Sequence, residues 1–164
     1  IPASVMVNEF SAETLADIFY HYADERLSRR YAAAIVDTRD VSSINTVGQL
    51  VSIIDNATPA GARRPGRSNA TKIFQALRMA VNKELEVLKS ALEQSVSVLK
   101  PGGRLAVITF HSIEDRSVKQ QFRALSEDEL ITIDPKKVIK PSREEVSQNR
   151  LSRSALLRAA TKIK

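Results

Sequence analysis

Apolar positions recur at intervals of three and four through most of this 164-residue chain, so the pattern predicts a series of amphipathic helices. Ser11 precedes an acidic first turn and the apolar face of Leu15, Ile18 and Phe19, the signature of an N-capped helix. Asp24 is placed to cap a second helix, running from Glu25 to about Asp37 with Leu27, Tyr31, Ala34 and Ile35 on one side. Thr46 caps a third, shorter one carrying Val47, Leu50, Val51 and Ile54. The longest periodic stretch joins Ile73, Leu77, Val81, Leu85, Leu88, Leu92, Val96 and Leu99. Its length is unusual for a globular helix, which places a break near Val81-Asn82.

Pro101-Gly102-Gly103 ends that stretch, and the pattern then changes. Arg104 to Phe110 is a short, nearly unbroken apolar run, read as a buried strand of a parallel sheet. His111 to Arg116 opens another helix, with Val118 and Phe122 inward. Leu130 to Ile133 suits a strand, and Ser142-Arg143-Glu144-Glu145 suits a capping box. Leu157, Ala159, Thr161 and Ile163 alternate with Arg158, Ala160 and Lys162, as in a final strand with one wetter face. The fold class is therefore helix-rich α/β. Residues 1–69 form a helical region, 70–100 a long connecting helix and 101–164 a strand-containing part.

A hydrophobic content of 43% is enough for a packed core. No apolar run approaches the roughly 20 residues that cross a bilayer. No charged stretch leads into an apolar one at the start, so secretion is not expected. The first residues are Ile1-Pro2 rather than methionine, so the chain reads as a cut piece or processed product. Cysteine is absent and the two histidines, His21 and His111, are far apart, which argues against a metal site or thiol chemistry. The net charge of +6 makes a polyanionic partner plausible.

Three groups of residues bear on such a partner. Between Pro59 and Asn69 lie Arg63, Arg64 and Arg67 with no acid, a basic loop. Thr71, Gln75, Arg78 and Asn82 share one helical face, where Arg suits phosphate and Asn and Gln suit base edges. From Val146 onward no acid occurs, while Arg150, Arg153, Arg158, Lys162 and Lys164 add positive charge suited to RNA backbone. The α-helical stripe reads first as a solvated face, and the basic tail is equally readable as one. His111 stands just past a strand's carboxyl end, where open α/β sheets place ligands, and a general-base role competes with a structural one. Ser112 and Asp115 read as a helix cap. None of the five glycines builds a glycine-rich turn between a strand and a helix.

The segments ATKIFQALRMAVNKEL (Ala70 to Leu85) and PGGRLAVITFHSIEDR (Pro101 to Arg116) resemble ordered motifs of the MraW/RsmH family. So do Lys140 to Glu145, Asn149 to Arg158, and the helical stretch Tyr22 to Ala32. The family comprises rRNA methyltransferases that modify the N4 amine of a cytosine in 16S rRNA. Two departures stand out. Ser68-Asn69 replaces the family's His-Pro, and Leu151 and Leu156 occupy an arginine and a lysine position.

The resemblance implies a Rossmann-like, S-adenosyl-L-methionine-dependent methyltransferase fold carrying a helical substrate-recognition insert. This chain corresponds to the insert followed by the C-terminal helices and strands. The cofactor loop lies in sequence not present here, so no cofactor residue is expected in this chain, and none is expected to bind it alone. The cytosine amine is a poor nucleophile, so transfer depends on in-line positioning of an unstacked base. Arg63, Arg64, Arg67, Gln75, Arg78, Asn82, Arg150 and Arg153 would hold RNA, and His111 would stand at the pocket wall as the candidate catalytic residue. Expected partners are the small ribosomal subunit and a missing N-terminal half, with no membrane and no metal, in the cytoplasm. The alternatives are a non-enzymatic basic RNA-binding module and an inactive fragment.

Overall fold

The computed structural model describes every residue except Arg64, Pro65 and Arg67. The chain forms two compact units, Ile1–Glu84 and Leu85–Lys164.

The first unit is helical. It comprises α1 (Ala3–Glu9), α2 (Ala12–Ala23), α3 (Ser28–Arg39), α4 (Val47–Ala57), a 3-10 turn (Ala60–Ala62) and α5 (Ala70–Asn82). Local sequence starts two of these helices as expected. The Ser11 hydroxyl accepts the Thr14 amide at 3.2 Å. At α4, Thr46 and Gln49 exchange side-chain and backbone hydrogen bonds in a complete capping box. Phe19, Leu15, Tyr31, Ile35, Ile54 and Ile73 are fully buried, and they project from four different helices into one core. Burying each such side chain is worth about 2 kcal/mol.

Asp24 does not cap α3. It terminates α2 in the left-handed conformation (φ 46°), and α3 begins only at Ser28. Glu25 folds back to accept the Leu27 amide at 2.9 Å, and Lys72 of α5 meets both the Asp24 carbonyl (3.3 Å) and the Glu25 carboxylate (3.7 Å). A partner 48 residues away, invisible to local pattern, thus holds this turn. Helix α1 was not anticipated, because its seven residues carry no side-chain cap.

The second unit contains α6 (Glu84–Val98) from Leu85 onward, β1 (Arg104–Thr109), α7 (Ser112–Glu127), β2 (Ile131–Ile133), α8 (Arg143–Gln148), a 3-10 turn (Arg150–Ser154) and β3 (Leu156–Lys162). The long periodic stretch is therefore two helices, α5 and α6, separated at Lys83, which is left-handed at φ 51°. The break falls next to the one expected near Val81-Asn82.

β1 is not part of a parallel pair. The sheet order is β1-β3-β2, and β3 runs antiparallel to both neighbours. The helical crossover through α7 does make β1 and β2 point the same way, as the helix–strand pattern suggests. The last strand is then inserted between them. Nor is β1 buried on both faces. Leu105 and Val107 pack on a core built from Leu92, Val96, Val118, Phe122, Leu125 and Ile131, while Ile108 is 59% exposed. Among the described residues, β1 is hydrogen-bonded along one edge only. The expected alternation in β3 is also absent: Ala159 and Ala160 are both buried, because β3 is the central strand.

Gly102 and Gly103 make the turn into β1 possible. Gly102 adopts φ 80°, and a Cβ on Gly103 would lie 2.8 Å from the Lys100 carbonyl oxygen. The turn is tied to the sheet by reciprocal bonds, Gly102 N to Lys162 O at 2.9 Å and Lys162 N to Gly103 O at 2.8 Å.

Candidate functional site

In the helical unit, Thr71, Gln75, Arg78 and Asn82 lie on α5, with Arg78 and Asn82 exposed near its C-terminus. The Arg78 guanidinium grips Glu84 through two bonds, Nε to Oε1 at 2.8 Å and Nη2 to Oε2 at 3.0 Å. The Asn82 amide donates to the same carboxylate at 3.3 Å. The Lys83 break is what folds Glu84 back onto the helix end, so Arg78 is held in one orientation while its side chain stays 56% exposed. Sequence reading missed Glu84 as the residue that orients this pair. Gln75 turns instead toward the Met79 sulfur at 3.8 Å.

Beside Arg78 and Asn82 runs an apolar groove of about 410 Å³. Val7, Leu50, Phe74, Leu77 and Val81 line it, with Asn45 and Thr46 also at its wall. Its walls come from α1, α4 and α5, whose packing in one core fixes its shape.

Of the basic loop, Arg63 is described. It is exposed and donates to the Thr58 carbonyl at 3.2 Å, beyond the C-terminal end of α4. Arg64 and Arg67 lie outside the described residues. Thr58 itself is buried, donating to Ile54 O at 2.7 Å and pairing with the Tyr31 hydroxyl at 2.9 Å. Burial pushes the Tyr31 hydroxyl pKa up, and the negative charges of Glu25 and Asp55 add to that. The hydrogen bond to Thr58 and the charge of Arg30 oppose it.

In the second unit, His111 is the N-cap of α7, the role expected of Ser112, which is instead the first helical residue. His111 Nδ1 accepts the Glu114 amide at 3.3 Å, and Nε2 lies 3.0 Å from Glu114 Oε1. The other Glu114 oxygen accepts the Phe110 amide at 3.1 Å. A ring accepting at Nδ1 carries its proton on Nε2, so Glu114 fixes both tautomer and orientation. Nε2 is buried and has no hydrogen-bond partner among the described residues, although Glu114 Oε1 lies close by.

Asp115 does not cap the helix either. Both its oxygens bind Arg158 of β3 at 2.8 Å, in a pair only 15% and 14% exposed. The basic tail thereby separates into two classes. Arg158 is neutralised, Lys162 donates to the Val96 carbonyl at the end of α6 (2.7 Å), and Lys164 meets Glu129 at 3.3 Å. Arg150 and Arg153 are exposed on the 3-10 turn and have no ion pair among the described residues.

An adenosine-type cofactor needs a strand leading through a glycine-rich turn into a helix N-terminus with free amides. Here the junction from β1 to α7 passes through Phe110 and His111, and the α7 amide that His111 accepts is already used. That junction does not offer such a turn. None of them forms a cluster of three or more metal-ligating side chains, and no helix among them is long and apolar enough to cross a membrane.

The arrangement defines a helix-rich α/β protein with an arginine-and-amide face beside an apolar groove, and exposed cations on a sheet connection. Comparison with known sequences specifies the class further. The chain belongs to the MraW methylase family, whose sequence profile matches residues 1–163. It is 44% identical over 172 aligned residues to "Ribosomal RNA small subunit methyltransferase H" of two strains of Lactobacillus delbrueckii subsp. bulgaricus, covering 96% of this chain and 55% of the relative. The protein of the same name from Halothermothrix orenii is 42% identical, covering 99% of this chain and 57% of the relative. The chain thus spans little more than half the length of these curated relatives.

Proposed function

We propose that the chain is the RNA-gripping portion of a methyltransferase that modifies the N4 amine of a cytosine in small-subunit rRNA. The methyl-donor pocket is then supplied by the remaining length seen in its relatives. What carries the reading is identity above 40% across nearly the whole chain to rRNA small subunit methyltransferases. The geometry agrees with it. The fixed Arg78 and Asn82 pair offers donors to phosphate and base edges, and the groove beside them gives an unstacked base an apolar wall to pack on. Arg63, with Arg64 and Arg67 of the same loop, and Gln75 add to the RNA-facing set, as do Arg150 and Arg153. His111, whose ring is oriented by accepting the Glu114 amide, is proposed to line a substrate-facing surface of the second unit rather than to act as a free base.

The sheet supports a finer reading. Co-directional β1 and β2 flank an antiparallel β3, and β1 keeps an open edge among the described residues, as expected of the end of a larger Rossmann-like sheet. S-adenosyl-L-methionine is the donor this reading implies, and a cytoplasmic ribosomal subunit the substrate.

The test is a chimera joining this chain to the portion of the Halothermothrix relative that it does not match, assayed for labelled methyl transfer into small-subunit RNA. Transfer to a cytosine amine is expected. A folded chimera that binds the donor yet methylates no RNA would refute the proposal. In an active chimera, Arg78→Ala is expected to lower RNA affinity or turnover roughly tenfold, the scale of a lost charged hydrogen bond. Unchanged values for both would remove Arg78 from the interface.

A further inference from the structure

The connection from β2 to β3, residues 135–153, is long, basic and firmly anchored. Its start is pinned by Asp134 N donating to Ala159 O at 3.2 Å, and its middle by a reciprocal pair of 2.9 Å bonds between Ile139 and Leu157. Ser142 then caps α8, and the Asn149 side chain caps the 3-10 turn. Ser152 is buried, with its hydroxyl on the Asn149 carbonyl at 2.8 Å. The backbone is therefore a strap fastened at several points rather than a loose loop.

Its charges are not fastened. Lys136, Lys137, Lys140, Arg143, Arg150 and Arg153 are all exposed, and none has an ion pair or side-chain hydrogen bond among the described residues. Against these six cations the strap holds two acids, Glu144 and Glu145. The neighbouring cations on β3 and beyond behave oppositely, since Arg158, Lys162 and Lys164 are each satisfied internally. Internal demand for positive charge in this unit is thus met by other residues.

We propose that this strap is a binding surface for the phosphate backbone of single-stranded RNA, with Lys136, Lys137, Lys140 and Arg143 adding to Arg150 and Arg153. The inference rests on the rRNA reading above and places part of the RNA on the second unit. A row of unpaired cations on an anchored backbone suits a linear polyanion, because little order is lost on binding and condensed counterions are released. A membrane surface is less well matched: α8 has six residues with Val146 as its one apolar side chain, too little for an interfacial helix.

The experiment measures binding of a fluorescent, mixed-sequence, single-stranded RNA oligonucleotide to the 164-residue chain by anisotropy across a salt series. Each phosphate contact contributes about 0.7 to the slope of log affinity against log salt. The triple variant Lys136→Gln, Lys137→Gln, Lys140→Gln should flatten that slope by about 2 and weaken binding roughly tenfold to hundredfold at low salt. Arg150→Gln with Arg153→Gln should act in the same direction. A control of equal charge change, Lys89→Gln, Lys100→Gln, Lys119→Gln, should leave the slope nearly unchanged.

Equal losses in strap and control variants, or no loss in either, would overturn the strap while leaving RNA binding by the chain intact. Absence of RNA binding by the unaltered chain at low salt would overturn both the strap and the RNA reading. Strap-dependent binding to phosphatidylserine vesicles, with RNA affinity unaffected by the strap variants, would replace RNA by a lipid surface.

Discussion

The two units solve the problem of charge differently. Ile1–Glu84 holds ten basic and nine acidic residues, so it is almost neutral, and it closes a large helical core upon itself. Leu85–Lys164 holds fifteen basic and ten acidic residues, five of the chain's six net charges, around a smaller core beneath one sheet face. The helical unit presents specific, oriented donors such as Arg78. The sheet unit presents positive charge in quantity. Specific contacts select a substrate, whereas dispersed charge mainly retains it.

The sharpest break of this comparison targets the helical core. Phe19→Ala removes a fully buried ring and should cost about 4 kcal/mol, lost from Ile1–Glu84. Amide hydrogen exchange resolved by residue checks it. Protection should collapse in α2, α3 and α5 while α7 and β3 keep theirs, and uniform loss would show that the units are energetically one. In the sheet unit the corresponding lever is electrostatic. Asp115→Ala strands Arg158 in a half-closed site and should cost about 3 kcal/mol by denaturant unfolding. Pairing it with Arg158→Met should recover most of the loss, because the stranded charge is then gone.

Tyr31→Phe tests a smaller, buried polar contact. Losing the bond to Thr58 should cost about 1 kcal/mol. The Tyr31 pKa is raised in the folded state, so its contribution is complete below the unfolded phenol range and is lost as pH climbs through the folded value. Unfolding followed into alkaline solution should therefore show a shallower decline for the phenylalanine variant. The smallest effect is expected at Arg123, whose pairing with Glu127 on α7 is 78% and 68% exposed. Arg123→Ala should change stability by about 0.3 kcal/mol or less.

The caps and helices legible in the sequence are those whose signal and partner sit within one turn. Thr46 and Gln49 are three positions apart, and the structure joins them as the spacing implies. Ser112 and Asp115 have the same spacing, yet Asp115 is claimed by Arg158, 43 residues later, and His111 takes the cap. The same long-range pair explains why Arg158 resembled its neighbours Arg150 and Arg153 in the sequence and differs from them in the fold. Insertion of β3 between β1 and β2 is likewise a matter of tertiary pairing, which hydrophobic pattern does not encode. The orientation of Arg78 depended on Glu84, and the stripe on α5 ended just before the turn that brings Glu84 back.

The one-sided hydrogen bonding of β1 has a practical consequence. Among the described residues, no strand pairs with the outer edge of Leu105, Ala106, Val107 and Ile108, and the charge flanking that row is Arg104. Such a margin is adhesive toward any extended segment, including the same margin on another copy. Concentrated solutions of the isolated 164-residue chain should therefore cloud with time, and a lysine at Ala106, on the exposed side of the strand, should keep them clear.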